Sequence, residues 1–511
     1  MTTVSAPPEP APSATARLSQ WYYGLHPTVR LLLRWLLILA STAVAYHETF
    51  ASLAHTTNSD GIGGYVWTVP GAAALAAIGV ARRPRNELPI HDRQTDIIVG
   101  SMGLVMAVLI QGVLLQRFGL YFHLLRLDLL SMYLYVLSAS VILFGLRPVS
   151  RFAYVWGLLF YVFSLPYYVT VILLGGGKLA AGAATMVIGA LGTGIAVGRT
   201  ALRGFWGSVC AWLVAFVVLM GLWVLFPDAP LLVYQQVPVY SAIIVVCTVM
   251  FLRARRGVPK AFLERGVEPL AAKQVWAGVP VVVCTALILA LVALPPEAQT
   301  SVVNREAPRE LGFGQPLVAP EGWETTGRTN YRQARRMYGE NTVLVRQEMT
   351  ATDGDPRFDK FARPRTLMVD SIASNRPFTF DVYPGRVLYD LTAARLSPTR
   401  EVDLGHGVTG QLLSVVDDKL LVTWNSLRFA WGDEHLAQRV SVFAVDNHEP
   451  GAPFPQPSQN LLLTIRTLFT MLLRGNAVLD QQAPTFKDAE LLTEFGRRLV
   501  AAQFTPSGEA G

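Results

Sequence analysis

The sequence contains few charged residues. Only 15% of its 511 residues are Asp, Glu, Lys or Arg, whereas 52% are hydrophobic. Soluble globular domains carry about 25% charged residues. A chain this apolar needs a nonaqueous environment beyond its own core, and the composition therefore predicts a membrane protein.

Cysteines and recognised catalytic signatures are also scarce. The three cysteines, Cys210, Cys247 and Cys284, all lie in apolar stretches before residue 295, so no disulfide is expected in the remainder of the chain. There is no Walker A loop, HExxH, paired CxxC, G-x-S-x-G or strand-placed GxGxxG. We therefore expect no cofactor and no metal, and we interpret Gly175–Gly177 as a turn rather than a phosphate cradle.

The positive charge belongs to the first part of the chain. Residues 1–295 carry 20 Lys and Arg against 10 Asp and Glu, whereas residues 296–511 carry 23 against 26. The basic residues of the first part fall in short loops between apolar runs, where such residues orient membrane helices. We therefore expect the lipid bilayer, and not nucleic acid, as the partner of this part.

The apolar runs predict about nine membrane helices within residues 30–295, after a disordered cytoplasmic tail over residues 1–29. The predicted segments are 31–51, 64–81, 97–116, 124–146, 153–174, 179–198, 205–226, 236–252 and 275–295. Basic residues concentrate in alternate loops, which predicts a cytoplasmic N-terminus by the positive-inside rule. An odd number of crossings then places residues 296–511 outside the cytoplasm, beyond a bacterial inner membrane.

Beyond Pro295 the composition becomes that of an extracytoplasmic α+β domain. Runs with strand character occur at 342–348, 366–372, 378–383, 408–416, 418–426 and 439–446, separated by Gly, Pro and Asp. Two amphipathic helices are predicted at 459–474 and 486–503. Trp424 and Trp431 are expected in the core of this domain, and its histidines, His406, His435 and His448, are scattered.

The candidate polar site lies at the outer ends of the first and fourth predicted helices. It contains His123, Arg126 and Asp128, with His47 and Glu48, and could extend to His55 and Asp60. Ionisable groups in a membrane usually face a partner or a water-filled cavity. In a continuous helix Arg126 and Asp128 would point to different faces and would not pair. Two interpretations follow: Arg126 reaches the headgroups while Asp128 pairs with a neighbouring helix, or both line an outward-facing pocket.

Aromatic residues at the predicted helix ends have the distribution of interfacial belts. They include Trp21, Tyr22, Tyr23, Tyr65, Trp67, Tyr121, Tyr167 and Tyr168. We interpret them as anchors at the membrane surfaces rather than as ligand contacts.

Several short motifs resemble the exosortase and archaeosortase membrane family. They are SDGIGGYVWTVP (59–70), RRPRNELP (82–89), LLRLDLLSMYLYVLSASVILFGLRPVSRF (124–152) and FSLPYY (163–168). Residues 296–511, with PEGW at 320–323, KLLVTW at 419–424 and LLRG at 472–475, are similar in outline to the domain often fused to or encoded beside exosortases. The resemblance implies processing of C-terminal sorting tails by a membrane Cys with an Arg and a His.

The chain departs from that family at the catalytic positions. Cys210 is followed by Ala-Trp, Cys247 by Thr-Val and Cys284 by Thr-Ala, and no His occurs between His123 and His406. A Cys in an apolar helix lacks the base or cation that would generate a thiolate, so all three are interpreted as packing residues.

We therefore expect a non-catalytic accessory in the assembly or export of envelope proteins or polysaccharide, with an envelope protein or glycan bound by residues 296–511. The alternatives are an active cysteine transpeptidase with displaced catalytic residues and a membrane transporter.

Overall fold

A computed structural model of the chain describes residues 20–22, 24–59, 61–83, 93–255, 272–295, 308, 311–389, 391, 394–418, 420–433, 435–449, 451–457, 465–466, 468–469 and 486–504. The helices and strands form two parts: an α-helical part up to residue 295, the membrane half, and a sheet-containing part from residue 311, the C-terminal domain. The predicted tail over residues 1–29 lies mostly outside the described residues.

The membrane half is built mainly from α-helices, and those of four or more residues in the described part of the chain are numbered here. They are α1 (Pro27–Ala45), α2 (His47–Asn58), α3 (Thr68–Ala81), α4 (Arg93–Leu109), α5 (Phe122–Leu125), α6 (Leu127–Phe144), α7 (Leu146–Ser150), α8 (Ala153–Leu159), α9 (Ser164–Leu173), α10 (Gly177–Val197), α11 (Ala201–Leu225), α12 (Leu231–Arg255) and α13 (Ala272–Ala290). A 3-10 helix, Ile62–Trp67, precedes α3, and a π-helical turn, Ile110–Leu114, extends α4.

Seven of the described helical segments are long and apolar enough to cross a bilayer, which indicates a multi-pass membrane protein. An eighth is possible if the bent pair Ala153–Val162 and Ser164–Leu173, which meet at 71°, forms one span. Val275–Ala290 is a shorter apolar helix. Each predicted segment overlaps one of these elements, whereas the count of nine and the orientation remain predictions.

Glycines allow α10 to approach its neighbours closely. A Cβ added to Gly182 would come within 2.8 Å of the Tyr234 carbonyl oxygen, and one added to Gly189 within 2.6 Å of Val239 Cγ1. Both neighbours lie on α12. Small residues at helix contacts strengthen packing in a bilayer, where the hydrophobic effect contributes little to association.

The C-terminal domain contains an eight-stranded, antiparallel sheet. Its strands are β1 (Trp323–Tyr331), β2 (Leu344–Ala351), β3 (Thr366–Ser374), β4 (Arg395–Leu396), β5 (Arg400–Asp403), β6 (Thr409–Asp417), β7 (Val422–Gly432) and β8 (Ala437–Val445). They are ordered β1-β2-β3-β8-β7-β6-β4, with β5 also paired to β6. Short helices α14 (Arg335–Tyr338), α15 (Thr379–Val382) and α16 (Gly385–Leu388) connect or cover the strands, and α17 (Ala489–Phe504) follows them.

The two faces of the sheet are buried by different elements. Leu491, Leu492, Phe495 and Leu499 of α17 pack on the face that carries Val369, Val442 and Leu427. The segment around α15 and α16 packs on the other face, beside Leu344, Ile372 and Phe443. This second core continues without a gap into the membrane half.

Most predicted strands of this domain are confirmed, and one is wrong. Residues 378–383 were expected to form a strand but contain helix α15. The run at 418–426 is a strand only from Val422, and it continues to Gly432. The helix predicted at 486–503 is confirmed by α17. The one predicted at 459–474 falls almost wholly outside the described residues, although Leu468 is fully buried.

Candidate functional site: a buried ion pair at the junction of the two parts

Arg126 and Asp128 form a buried, bidentate ion pair. Arg126 Nε lies 3.1 Å from Asp128 Oδ1, and Arg126 Nη2 lies 2.8 Å from Asp128 Oδ2. Arg126 is 3% exposed and Asp128 is fully buried. A charge removed from water is tolerated when a partner of opposite sign lies within hydrogen-bond distance, as in this pair.

The expectation that these residues do not pair is wrong, because the helix is not continuous. Arg126 has φ 45° and ψ 52°, in the left-handed region, and separates α5 from α6. The Arg126 N–H donates to Phe122 O at 2.8 Å, at the end of α5. The Arg126 carbonyl oxygen accepts from Leu129 N at 3.0 Å, at the start of α6. The reversal at Arg126 brings the two side chains together. Asp128 also lies in the first turn of α6, where a helix favours negative charge.

Neighbouring helices hold the ion pair in place. Arg126 Nη2 lies 3.5 Å from Thr49 O and Nη1 lies 3.4 Å from Ser52 Oγ, both on α2. The guanidinium also lies 5.0 Å from the centre of the Phe122 ring, a cation–π contact. Arg126 therefore does not extend to the headgroups, and the partner of Asp128 is two residues away rather than on a neighbouring helix.

A second polar chain lies one turn further along α6. Ser131 Oγ donates to Ala107 O at 2.8 Å, which leaves the Tyr46 hydroxyl to donate to Ser131 Oγ at 2.8 Å. These bonds join the residue between α1 and α2 to α4 and α6 beside the ion pair. We refer to His123, Arg126, Asp128, Tyr46 and Ser131 together as the polar centre.

His123 is the member of the polar centre that contacts the C-terminal domain. Its ring centroid lies 4.9 Å from that of Phe378, at an interplanar angle of 73°. The imidazole is 7% exposed, and its Nδ1 has no hydrogen-bond partner among the described residues. Burial, with smaller contributions from the charge of Arg126 and from His55, lowers the pKa of His123 to about 3. The ring is therefore neutral at physiological pH.

Two further contacts contribute to the junction between the two parts. Tyr383 meets Tyr168 edge-on, with ring centroids 6.2 Å apart. Arg336 Nη1 of α14 donates to Ile172 O at the end of α9 at 3.1 Å. The end of the sheet that carries α14 and α15 thus rests on the membrane half, directly beside the polar centre.

His47 and Glu48, which were predicted to belong to this site, make their hydrogen bonds with residues outside the polar centre. His47 is exposed, and its Nδ1 lies 3.2 Å from Val44 O at the end of α1. Glu48 accepts from Leu294 N at 2.9 Å and so ties α2 to the chain after α13. Asp60 lies outside the described residues.

A shallow recess of about 340 Å³ opens beside the polar centre. Glu48, Ala51, Ser52 and His55 form its α2 side, opposite Phe122, Leu294 and Pro295. Ser52 connects the recess to Arg126 behind it. The walls are mainly apolar, and Arg126 is already paired with Asp128, so the polar centre itself offers no free charge to a ligand in the recess.

The interpretation of Tyr65, Tyr167 and Tyr168 as interfacial anchors is wrong, because all three are buried. Tyr65 and Tyr167 stack with ring centroids 3.7 Å apart. The Tyr167 hydroxyl donates to Ala181 O at 2.9 Å and accepts from Gln235 Nε2 at 2.9 Å. The Tyr65 hydroxyl donates to Val162 O at 3.2 Å, so the hydroxyl groups of Tyr65 and Tyr167 are satisfied inside the helix bundle, where an aromatic body with one polar atom packs well.

The C-terminal domain contains a buried charge pair that the sequence analysis missed. Arg346 Nη2 and Nε lie 2.7 and 2.8 Å from the two carboxylate oxygens of Asp370, and Tyr389 donates to Asp370 Oδ2 at 2.8 Å. Arg346 and Asp370 are register partners on β2 and β3. The sequence did contain a signal for this pair. Side chains two residues apart in a strand lie on the same face of the sheet, so Arg346 lies on the face of the buried Leu344, and Asp370 on the face of the buried Ile372.

Both tryptophans and two of the histidines predicted in this domain have structural contacts. Trp424 and Trp431 are buried, as predicted. His406 stacks on Phe504 with centroids 5.0 Å apart, and His448 Nδ1 lies 2.9 Å from Asp359 Oδ2. No group of three or more His, Cys, Asp or Glu able to hold a metal ion occurs in the described part of the chain.

The cysteines lie on helices other than those that carry the ion pair. Cys210 and Cys284 are exposed on α11 and α13, and Cys247 is half-buried on α12. None of the three forms a disulfide in the residues that the structure covers. In comparisons with known proteins, no family model, curated protein or solved structure matches the chain.

Proposed function

We propose that this chain is a non-catalytic, exosortase-like accessory in the assembly or export of bacterial envelope proteins or polysaccharide. It spans the inner membrane about nine times with its N-terminus in the cytoplasm. The domain after residue 295 lies on the opposite side and binds an envelope protein or glycan.

The observation that carries this proposal is the separation of the thiols from the ionised groups. Cysteine transpeptidation requires a thiolate, and a thiolate forms at neutral pH beside a base or a cation. Here Arg126 is paired with Asp128, whereas Cys210 and Cys284 are exposed on the surfaces of other helices. The arrangement favours a scaffold that seats one domain on another over a nucleophilic active site.

The test is complementation of a deletion strain, with surface proteins and surface polysaccharide profiled. We expect the triple variant Cys210→Ala, Cys247→Ala, Cys284→Ala to restore every lost surface component at a normal protein level. If this variant fails while it is inserted at the wild-type level, one of the cysteines is a nucleophile and the transpeptidase alternative replaces this proposal.

Topology requires its own measurement. Alkaline phosphatase fused after Phe504 should be active, whereas the same enzyme fused after Arg203 should be inactive, because the enzyme folds only outside the cytoplasm. The reverse pattern would overturn the orientation.

A transporter is the second candidate, favoured by the break between Ala153–Val162 and Ser164–Leu173. Transporter sites are often built at broken helices. Accumulation or loss of a small solute in the deletion strain, with surface components unchanged, would favour this candidate over the accessory.

A further inference from the structure

Strand β1 forms an open edge of the sheet in the C-terminal domain. It is nine residues long and pairs with β2 on one side, as the end strand in the sheet order. Glu324, Thr325, Thr326, Arg328, Thr329 and Asn330 are exposed. At the opposite end of the sheet, β6 is covered by β4 and β5. Within the described residues, β1 is therefore the long strand with an uncovered side.

The register identifies which backbone groups point away from the sheet. Thr352 N donates to Gly322 O, on the β1 side, whereas Ala351 N donates to Arg365 O, on the β3 side, each at 3.0 Å. The N–H and C=O groups of successive residues in a strand point alternately to its two sides. The even-numbered residues of β2 therefore direct these groups towards β1. Their register partners on β1 are Glu324, Gly327, Thr329 and Tyr331.

The intervening residues Thr325, Arg328 and Asn330 therefore direct their N–H and C=O groups outward. None of their main-chain groups bonds to another element in the described part of the chain. Outward N–H and C=O groups in a row form a template for one more strand.

The regular part of this edge lies next to the junction. The register shift between Thr325 and Gly327 is a bulge, which disturbs strand addition in the first half of β1. Gly327–Tyr331 is regular, contains neither Pro nor Lys, and leads directly into α14. Since Arg336 of α14 donates to Ile172 O, the Tyr331 end of the edge lies close to the membrane half.

We propose that the Gly327–Tyr331 edge binds an extended segment of a membrane-anchored envelope protein by strand addition. The chemistry of the edge selects a polypeptide backbone, because a row of amide donors and carbonyl acceptors is complemented by another strand. Because the edge lies beside the junction with the membrane half, the segment that it binds is one close to the membrane anchor of that protein. This inference rests on the proposed accessory function and specifies its partner.

The test uses proline to remove outward N–H groups without touching the β1–β2 ladder. Asn330→Pro and Arg328→Pro each remove one outward donor, and proline is tolerated on the free side of an edge strand. Asn330→Ala and Arg328→Ala remove the same side chains and retain the donor. Thr329→Pro is the opposite control, since it removes a donor that faces β2 and should destabilise the domain.

Binding is measured with the full-length chain in cells, by photo-crosslinking from benzoylphenylalanine at position 329. We expect an adduct with an exported protein, through a peptide within about ten residues of its membrane span, since ten extended residues reach about 33 Å. The adduct should fall about tenfold in Asn330→Pro and remain in Asn330→Ala, because the loss of one or two hydrogen bonds amounts to roughly that factor.

Several results would overturn the inference. An adduct with a second copy of the chain would make the edge a self-association surface, and a crosslinked peptide far from any membrane span would remove the anchored partner. An adduct insensitive to proline, or none at all, would remove strand addition. Full complementation by Asn330→Pro would also reject the inference while leaving the accessory function intact, because that function is tested by the cysteine variant.

Discussion

Phe378 of the C-terminal domain packs edge-on against His123 of the membrane half, with the two ring centroids 4.9 Å apart. The contact closes the polar centre on the side of the C-terminal domain, since His123 retains only 7% of its exposure. The ion pair behind His123 is thus buried by residues from both parts of the chain.

Removal of the Phe378 ring should open this contact. In a variant without native cysteines, a cysteine placed by His123→Cys should react slowly with a maleimide in detergent solution, and Phe378→Ala should raise the rate about tenfold or more, as expected for a gain in thiol access. Phe361→Ala is the matched control, because Phe361 is 73% exposed and lies elsewhere on the domain. Equal rates with and without Phe378 would show that this ring does not cover His123.

The Arg126–Asp128 pair should behave as one unit. Arg126→Met or Asp128→Leu alone leaves a buried charge without its partner and should cost about 3–5 kcal/mol of the free energy of unfolding. The double variant leaves no charge and should be more stable than either single variant. A denaturing-detergent titration of the four proteins measures the coupling energy, and additive losses would contradict the paired arrangement.

Acid should weaken the packing around His123. Its pKa is lowered from 6.5 in the unfolded chain to about 3 in the folded one, so the unfolded state binds more protons between these pH values. The free energy of unfolding therefore keeps its full value above about pH 6.5. It decreases as the pH falls below that value, by no more than about 1.4 kcal/mol per pH unit, because the unfolded state takes up the proton first. Unfolding titrations at pH 7.5 and 5.5 check this sign, and His123→Gln should show a smaller difference between the two.

The glycine turn before α10 provides a test of the junction with a built-in control. Gly175 and Gly176 both have positive φ, 106° and 78°. An added Cβ at Gly176 would lie 2.5 Å from Arg336 O, whereas at Gly175 no neighbouring atom lies within 4 Å. Both alanine variants introduce backbone strain, but only Gly176→Ala also displaces α14.

Hydrogen exchange of the amides in Arg335–Gly339 reports that displacement. Exchange should be faster in Gly176→Ala than in Gly175→Ala, because the clash is transmitted to the segment that contains Arg336. If the two variants exchange at the same rate, α14 does not rest on this turn.

Much of the fold could be predicted from the sequence because its signals are local. A membrane span needs only about 20 apolar residues in succession, and each predicted segment overlaps a helical element in the structure. The predicted strands at 342–348, 366–372, 408–416 and 439–446 were also accessible, because strand-forming residues between Gly, Pro and Asp mark them. Strand β1 was missed because it is exposed and its sequence, WETTGRTNY, has no alternating apolar pattern.

The candidate site could be predicted only in part. His123, Arg126 and Asp128 were identified from their cost in an apolar segment, but their geometry depends on a left-handed residue at Arg126. Such a backbone is rare for Arg and has no sequence signal. Phe378 and Tyr383 were missed for a different reason: their partners are more than 200 residues away, and no local pattern records such contacts.

The place of α17 has a consequence for the synthesis of this protein. The helix covers one face of the sheet with Leu491, Leu492, Phe495 and Leu499, yet it follows all eight described strands in sequence. A nascent chain that has completed β8 therefore exposes that apolar face until α17 has also been synthesised. During this interval the unfinished domain needs shielding, for example by a chaperone, since uncovered apolar strands aggregate.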